Sequence, residues 1–317
     1  MQRTFIVGCP RSGTTIVQAM LARHSSVFTL PETAFFQHLF NDLEWRWGDK
    51  DARPFRRRLR HRLGFTRAHG RHIFAELQRS LLGDESGALL SHWHTKTCAK
   101  KFIAMLDGVA LQSKRTLWVE KTPSHLLYLP EIETHVPDAK IIHVIRRGTD
   151  VMASVVDGNL RFSAFSGDIA LWVSRWNRAA QIHRAHIGQA NHHFVFLEDL
   201  IRDSKGEWTR LCGFLGLQPD ISLDKACSQM IADVEREPWK HAAVHGVVRD
   251  SEHKVEDLFG PKLRHWLQTQ LSSYAELREA CAFPRHLPAH ASSTVAELGR
   301  SRQGLQTVTE IKAYSAS

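Results

Sequence analysis

The sequence predicts an α/β protein, a parallel sheet covered by helices, and three observations predict it. An apolar run, Phe5-Ile6-Val7, passes through Gly8 and a short loop to Gly13, where Thr14 and Thr15 open a helical pattern. Further short apolar runs at 116–119, 140–145 and 193–197 alternate with helix-length segments, the order expected of strands joined by crossover helices. The runs at 116–119 and 140–145 each end in charged residues, Glu120-Lys121 and Arg146-Arg147. Such strand ends are where open α/β sheets gather ligands.

Taken in order, the first strand is 4–8 and the first helix 13–23. Between them, Cys9-Pro10-Arg11-Ser12-Gly13-Thr14-Thr15 turns a strand into a helix N-terminus. Backbone N–H groups of such a loop converge on an anion, and the helix dipole adds to the attraction. The spacing approaches the nucleotide P-loop, Gly-x-x-x-x-Gly-Lys-Ser/Thr, but Thr14 stands at the lysine position and the cation is Arg11, inside the loop. A P-loop lysine reaches the β- and γ-phosphates of a triphosphate. Without it, a less charged anion held by one arginine and two hydroxyls is the better fit.

Helical spacing continues at 33–45, 71–82 and 98–112, and residues 46–115 read as a helix-rich insertion of the kind that shapes acceptor pockets. Within it, Arg56-Arg57-Arg58-Leu59-Arg60-His61-Arg62-Leu63 is densely basic. Aromatic residues are not interleaved there as on a base-stacking platform, so a solvated helix face is expected rather than a nucleic-acid site. After the strand at 116–119, Pro123 suits the first turn of a helix at 124–134, with Thr122 as its cap. Lys121 falls at the carboxyl end of that strand; on these residues alone it is equally a solvated lysine paired with Glu120.

The buried strand 140–145 ends at Arg146, a turn follows, and a helix spans 148–158 with Thr149 or Asp150 as cap. Ser154 lies about two turns into that helix. An arginine at a strand end and a hydroxyl on the next helix can clamp one phosphate. Helices at 167–188, 204–215 and 256–280 follow, with the strand 193–197 between the first two. Trp172 and Trp176, four apart, mark a packed helical face, and Trp45 and Trp47 read as core or pocket walls. From about 286 the chain turns to Pro, His, Ala, Ser, Gly and Gln, so the expected division is a domain at 1–285 and a mobile C-terminal tail at 286–317.

Composition narrows the function further. The 317 residues are 43% hydrophobic and 24% charged, ordinary for a globular enzyme, and no apolar run is long enough to span a bilayer. A first strand starting so near Met1 leaves no room for a signal peptide, and five scattered cysteines, an odd number, suggest reduced thiols; a cytoplasmic protein is expected. A net charge of +9 suits an anionic ligand without saying which. His92-x-His94-x3-Cys98 lacks a second ligand pair, so no metal is expected. Gly-x-Ser-x-Gly and Gly-x-Gly-x-x-Gly fingerprints are missing. A P-loop small-molecule kinase and a basic nucleic-acid-binding protein stay open as alternatives.

Three motifs in order, Pro10-Arg11-Ser12-Gly13-Thr14-Thr15, Glu120-Lys121-Thr122-Pro123, and Arg146 followed by Ser154, resemble sulfotransferases that use 3′-phosphoadenosine 5′-phosphosulfate (PAPS). The likeness, to bacterial members and to the tyrosylprotein and heparan-modifying types, runs from about residue 3 to 245. It includes Trp172-x3-Trp176-Asn177 and Phe196-Leu197-Glu198-Asp199-Leu200 followed by Gly213-Phe214-Leu215-Gly216-Leu217. The resemblance implies a P-loop NTPase-like fold and PAPS as sulfuryl donor. It assigns the 5′-phosphosulfate to Arg11, Ser12, Gly13, Thr14 and Thr15, and the 3′-phosphate to Arg146 and Ser154. It makes Lys121 the stabiliser of the leaving oxygen and Glu32, in Leu30-Pro31-Glu32-Thr33, the catalytic base, with His125 as the alternative base. A carboxylate in that role is expected in a partly desolvated cleft with its pKa raised toward neutrality. The chain lacks the Arg-Lys-Gly loop of cytosolic members; Trp239-Lys240 is the expected replacement, with Lys240 near the 3′-phosphate, or else Arg249 or Lys254. Leu197 stands where those enzymes have an adenine-contacting tyrosine. The acceptor, whether carbohydrate, lipid, metabolite or peptide, is not encoded in any readable motif.

Overall fold

The computed structural model describes residues 1–49, 64–65, 68–83, 94–163, 165, 167–219, 231–232, 234–235, 237, 240–244 and 252–282. Strands β1 (Gln2–Gly8), β2 (Val27–Thr29), β3 (Leu117–Lys121), β4 (Lys140–Ile145) and β5 (His192–Phe196) form a sheet in the order β2-β3-β1-β4-β5, and every pairing is parallel. The expected parallel, P-loop NTPase-like sheet flanked by helices is the one observed. Its strands alternate between two cores. Phe5, Val7, Ile141 and Ile145 pack on one face, while Ile6, Ile142, Val144 and Val195 pack on the other. Both faces are covered, which is why these strands read as unbroken apolar runs.

The helices are α1 (Thr14–Leu21), α2 (Phe35–Phe40), α3 (Leu43–Trp47), α4 (Ala68–Leu82), α5 (Thr95–Gln112), α6 (Leu129–His135), α7 (Gly148–Phe162), α8 (Ile169–Ala185), α9 (Leu197–Arg202), α10 (Ser204–Leu215), α11 (His241–Val244), α12 (Glu252–Leu258), α13 (Pro261–Gln270) and α14 (Tyr274–Ala282). A 3-10 helix, Pro123–Tyr128, precedes α6, with Pro123 in its first turn and Thr122 at the cap position.

Several boundaries differ from expectation. The helix foreseen at 33–45 is two helices, because Asn41 and Asp42 adopt φ of 59° and 62° between them. The single helix foreseen at 256–280 breaks at Gly260-Pro261 and again after Gln270. β2 was not foreseen: three residues are too few for an alternation to register, and β2 exists by pairing with β3 at the sheet edge. α7 starts at Gly148 without a side-chain cap, so neither Thr149 nor Asp150 plays that part.

The register sets the site. Lys121 pairs with Ile6, and Gly8 with Val144, so the carboxyl ends of β1, β3 and β4 emerge together. The crossovers that leave the neighbouring strands β1 and β4 run in opposite directions, to β2 and to β5, and this is the switch point where parallel α/β sheets open a crevice. The described residues fall within one compact unit, Met1–Phe283. The basic segment 56–63, His92, Cys227, Trp239, Arg249 and the expected tail 286–317 lie outside them.

Candidate active site

The loop after β1 is built for close approach. A Cβ at Gly8 would sit 2.5 Å from the Val144 carbonyl oxygen, so only glycine lets the strand end pair so tightly. Arg11 and Gly13 take left-handed φ of 72° and 93°, turning the chain into α1. The first-turn amides of a helix have no acceptor inside it, and here Thr14 and Thr15 line a cavity of about 270 Å³. Arg11, Gly13, Glu32, Arg146, Ser154, Phe165, Leu197, Ile201, Glu237 and Lys240 line it as well.

Two half-buried guanidinium groups define one side. Arg11 Nε donates to Ser154 Oγ at 3.1 Å, and its guanidinium lies 5.1 Å from the Phe165 ring centre. Arg146 Nη1 donates to the Arg11 carbonyl oxygen at 3.1 Å, and Trp176 Nε1 on α8 holds the Arg146 carbonyl at 3.1 Å. Burial, and then the neighbouring Arg146 charge, push Arg11 down to about 10; burial likewise lowers Arg146. Neither arginine forms a salt bridge with a carboxylate among the described residues. Asp157 and Glu237 near Arg11, and Asp150 and Glu198 near Arg146, offset part of this charge, and an anion between the loop and the cavity would offset more. Arg11, Arg146 and Ser154, expected at the two phosphate ends, are joined through Arg11 by hydrogen bonds.

Opposite charges alternate on the other side. Lys121, fully buried at the end of β3, forms a salt bridge with Glu32. Lys240 Nζ lies 2.6 Å from the same Glu32 oxygen and 2.5 Å from Glu237. This corrects two expectations. Lys240 joins Glu32 rather than the Arg146–Ser154 pair. Glu32 does not have a raised pKa: burial pushes the carboxyl up, but the ammonium groups of Lys121 and Lys240 outweigh it and hold it at about 2. Lys121 is lowered by burial, with Glu32 opposing and Lys240 adding to the shift.

Three expected residues do not line the cavity: Lys121, which lies behind Glu32, Ser12 and His125. Ser12 is buried with its side chain against a small interior void lined by Cys9, Trp176 and His183, behind the loop. His125 is fully buried: Phe36 N–H donates to its Nε2 at 3.1 Å, and its Nδ1 lies 2.8 Å from Glu120 Oε2. Both ring nitrogens are engaged away from the crevice, so the alternative base is turned inward. Lys254 pairs with Asp157 at 2.6 Å on α7. Sequence reasoning missed Glu237, Phe165 and Ile201. Glu237 is three residues before Lys240, a spacing that could have flagged it as a partner. Among the described residues, no group of three or more His, Cys, Asp or Glu side chains is placed to hold a metal ion.

Comparison with known proteins gives the family and supports the fold. The residue pattern of the sulfotransferase family matches residues 3–220. Protein-tyrosine sulfotransferase A of Caenorhabditis elegans is 24% identical over 271 residues, covering 84% of this chain; the match spans only 61% of that relative's length. Among solved structures, a sulfotransferase domain from the curacin biosynthetic pathway aligns over 86% of this chain and 98% of its own, at 20% identity and a TM-score of 0.52, which supports the fold. The sulfotransferase domain of the Synechococcus PCC 7002 olefin synthase aligns over 89% and 95%, at 19% identity and a TM-score of 0.48.

Proposed function

The chain belongs to the sulfotransferase family, and on that premise we propose that it moves a sulfuryl group from PAPS to a hydroxyl or amine acceptor by in-line attack. The observation that carries the reading is the pair of adjacent half-buried arginines, Arg11 and Arg146, neither in a salt bridge with a carboxylate among the described residues. The nucleotide's two phosphate ends supply the negative charge, and Ser154 adds a hydroxyl donor. PAPS brings an activated sulfuryl group on a phosphate leaving group. The chain's own residues do the rest. Arg146 and Ser154 hold the 3′-phosphate; Arg11, with Thr14, Thr15 and the loop amides, holds the 5′ end. Lys121 neutralises charge on the bridging oxygen, which needs no metal because the sulfuryl group carries a single charge.

Glu32 takes the acceptor's proton. In the free protein Lys121 and Lys240 suppress its basicity. The same two ammonium groups are the ones a sulfonate draws, and a carboxylate that loses them becomes a stronger base. His125 supports this segment from within. A tyrosine hydroxyl on a peptide is the first acceptor to try, because the curated relative carries that activity in its name; carbohydrate, lipid and small metabolite hydroxyls follow. We assign the protein to the cytoplasm on its free thiols at Cys9, Cys98, Cys212 and Cys281. No helix among the described residues is long and apolar enough to cross a membrane.

Calorimetry tests the donor. Adenosine 3′,5′-bisphosphate binds the wild-type protein, and Arg146→Ala weakens it about 100-fold, the loss of a charged, largely buried contact. Binding of ATP–Mg²⁺ with no response to the bisphosphate refutes the reading. Sulfur-labelled PAPS with fractionated extract then identifies the acceptor by the label it gains.

A further inference from the structure

Glu120 precedes Lys121 on β3 and is fully buried, yet its carboxylate is not spent on that lysine. Successive strand residues face opposite ways, and these two clasp successive residues of one loop. Lys121 meets Glu32, while Glu120 meets Thr33. Glu120 Oε1 accepts from Thr33 N–H at 3.2 Å, Thr33 Oγ1 at 2.8 Å and Thr122 Oγ1 at 2.6 Å. Its Oε2 lies 2.8 Å from His125 Nδ1.

The cluster accounts for every amide from Thr33 to Phe36. Thr33 N–H goes to Glu120, Ala34 N–H to Thr122 Oγ1 at 3.1 Å, Phe35 N–H to Thr33 Oγ1 at 3.1 Å, and Phe36 N–H to His125 Nε2 at 3.1 Å. These are the donors at the start of α2, which no helical carbonyl can satisfy. Ala34 is held at φ 48°, a conformation alanine rarely takes without such bracing. The hydrogen-bond direction is fixed as well. His125 Nε2 accepts from Phe36, so the ring proton is on Nδ1 and faces the Glu120 carboxylate.

We infer that Glu120 is a positioning residue: with Thr122 and His125 it fixes the backbone of Thr33–Phe36 and so holds Glu32 against Lys121. This rests on the roles proposed above for Glu32 and Lys121. It divides the segment Glu120–His125 into two functions, one lysine paired with Glu32 and three polar groups gripping the loop that carries the base. Glutamine cannot replace Glu120. With its oxygen toward the threonines, its NH₂ opposes His125 Nδ1–H. Turned over, the NH₂ opposes two hydroxyls and the Thr33 amide.

The test uses Glu120→Gln and, should that variant fold poorly, Thr33→Val, which removes the hydroxyl shared by Glu120 and Phe35. Two readouts are independent of turnover. Amide hydrogen exchange at Thr33–Phe36 should speed up about tenfold while Ile6 and Ile142 in the sheet keep their protection. The Lys121 ammonium, followed by carbon-13 NMR of the lysine side chains, should titrate about one unit lower once Glu32 drifts from it; Glu32→Gln is the control that shifts it in the same direction. Affinity for adenosine 3′,5′-bisphosphate should stay within about twofold, since the arginine cluster is untouched. Wild-type exchange and an unmoved Lys121 titration in the folded variants overturn the inference, as does exchange that rises equally throughout the sheet. Failure of the wild-type protein to bind the bisphosphate instead sinks the proposed function and leaves the exchange result to judge Glu120 alone.

Discussion

Acidification below pH 6.5 should destabilise this protein through imidazoles buried against β4. His143 points to the same face as Ile141 and Ile145, into the core under α8. Its Nδ1 lies 2.9 Å from His183 Nδ1 on α8, and its Nε2 lies 2.7 Å from His192 Nδ1 on β5. The His186 and Phe194 rings flank it, and Glu133 on α6 reaches His192 at 3.3 Å and His186 at 3.5 Å. Burial and the surrounding imidazoles hold His143 well below the usual histidine range, and burial, with His186 adding, pushes His183 down to about 3. A histidine depressed in the folded state stays neutral there while its unfolded counterpart takes a proton. Stability is therefore unaffected above about pH 6.5 and is lost as pH falls toward the folded value. At pH 5 a histidine held at about 3 costs about 2 kcal/mol, so His183 alone takes a sizeable share of a typical net stability, and His143 adds in the same direction. Denaturant melts at pH 7.5 and pH 5.0 measure it. His183→Gln keeps a hydrogen-bonding group but cannot take up the proton, and it should lose about 2 kcal/mol less than wild type over that interval. Titrating groups outside this cluster cancel in the difference, so equal losses in the two proteins would refute the reasoning.

Two further substitutions probe the crevice. Lys240→Met removes one of the ammonium groups beside Lys121 and Glu32; the Lys121 titration should move up, opposite to the effect of Glu32→Gln, and lysine side-chain NMR reads both. Gly13→Ala places a Cβ at φ 93° and 2.8 Å from Leu197 Cδ1. It should cost about 1–2 kcal/mol in denaturant melts and weaken bisphosphate binding by about tenfold, because the loop amides must tilt to relieve the strain.

What the sequence made legible follows from the range of the forces involved. The β1–loop–α1 unit is local: an apolar strand, Gly8, Gly13 and the helix N-terminus are all encoded within fifteen residues, and Arg11, Thr14 and Thr15 were found with it. Arg146 and Ser154 were found because they sit one short turn apart in the chain. Lys240 was misplaced because its partner, Glu32, is 208 residues away, and a charged pair at that separation leaves no periodicity to read. The sign of the Glu32 shift failed for the same reason. Desolvation was foreseen from its place in a cleft, but the two ammonium groups that outweigh it come from β3 and α11's flank. The spacing of four from Lys121 does not carry His125 to the crevice, because residues Pro123–Tyr128 form a 3-10 helix, whose tighter winding sends that side chain inward.

The two sides of the crevice are charged on different principles, and this bears on how a ligand would load. Lys121, Glu32, Lys240 and Glu237 alternate in sign, so that side is compensated within the protein. An anion placed there must displace a carboxylate from its ammonium partner, and much of the attraction is offset by the pair it breaks. Arg11 and Arg146 have no salt-bridge partner among the described residues, so an anion placed beside them breaks no ion pair of theirs. On the proposed roles, the nucleotide's phosphate anchors at the arginines, and its binding energy is then available to part Lys121 and Lys240 from Glu32. The base gains strength only after the donor is seated. A site that armed its carboxylate in the free protein would leave Glu32 uncompensated beside water; the alternating chain keeps it quiet until the arginine side is filled.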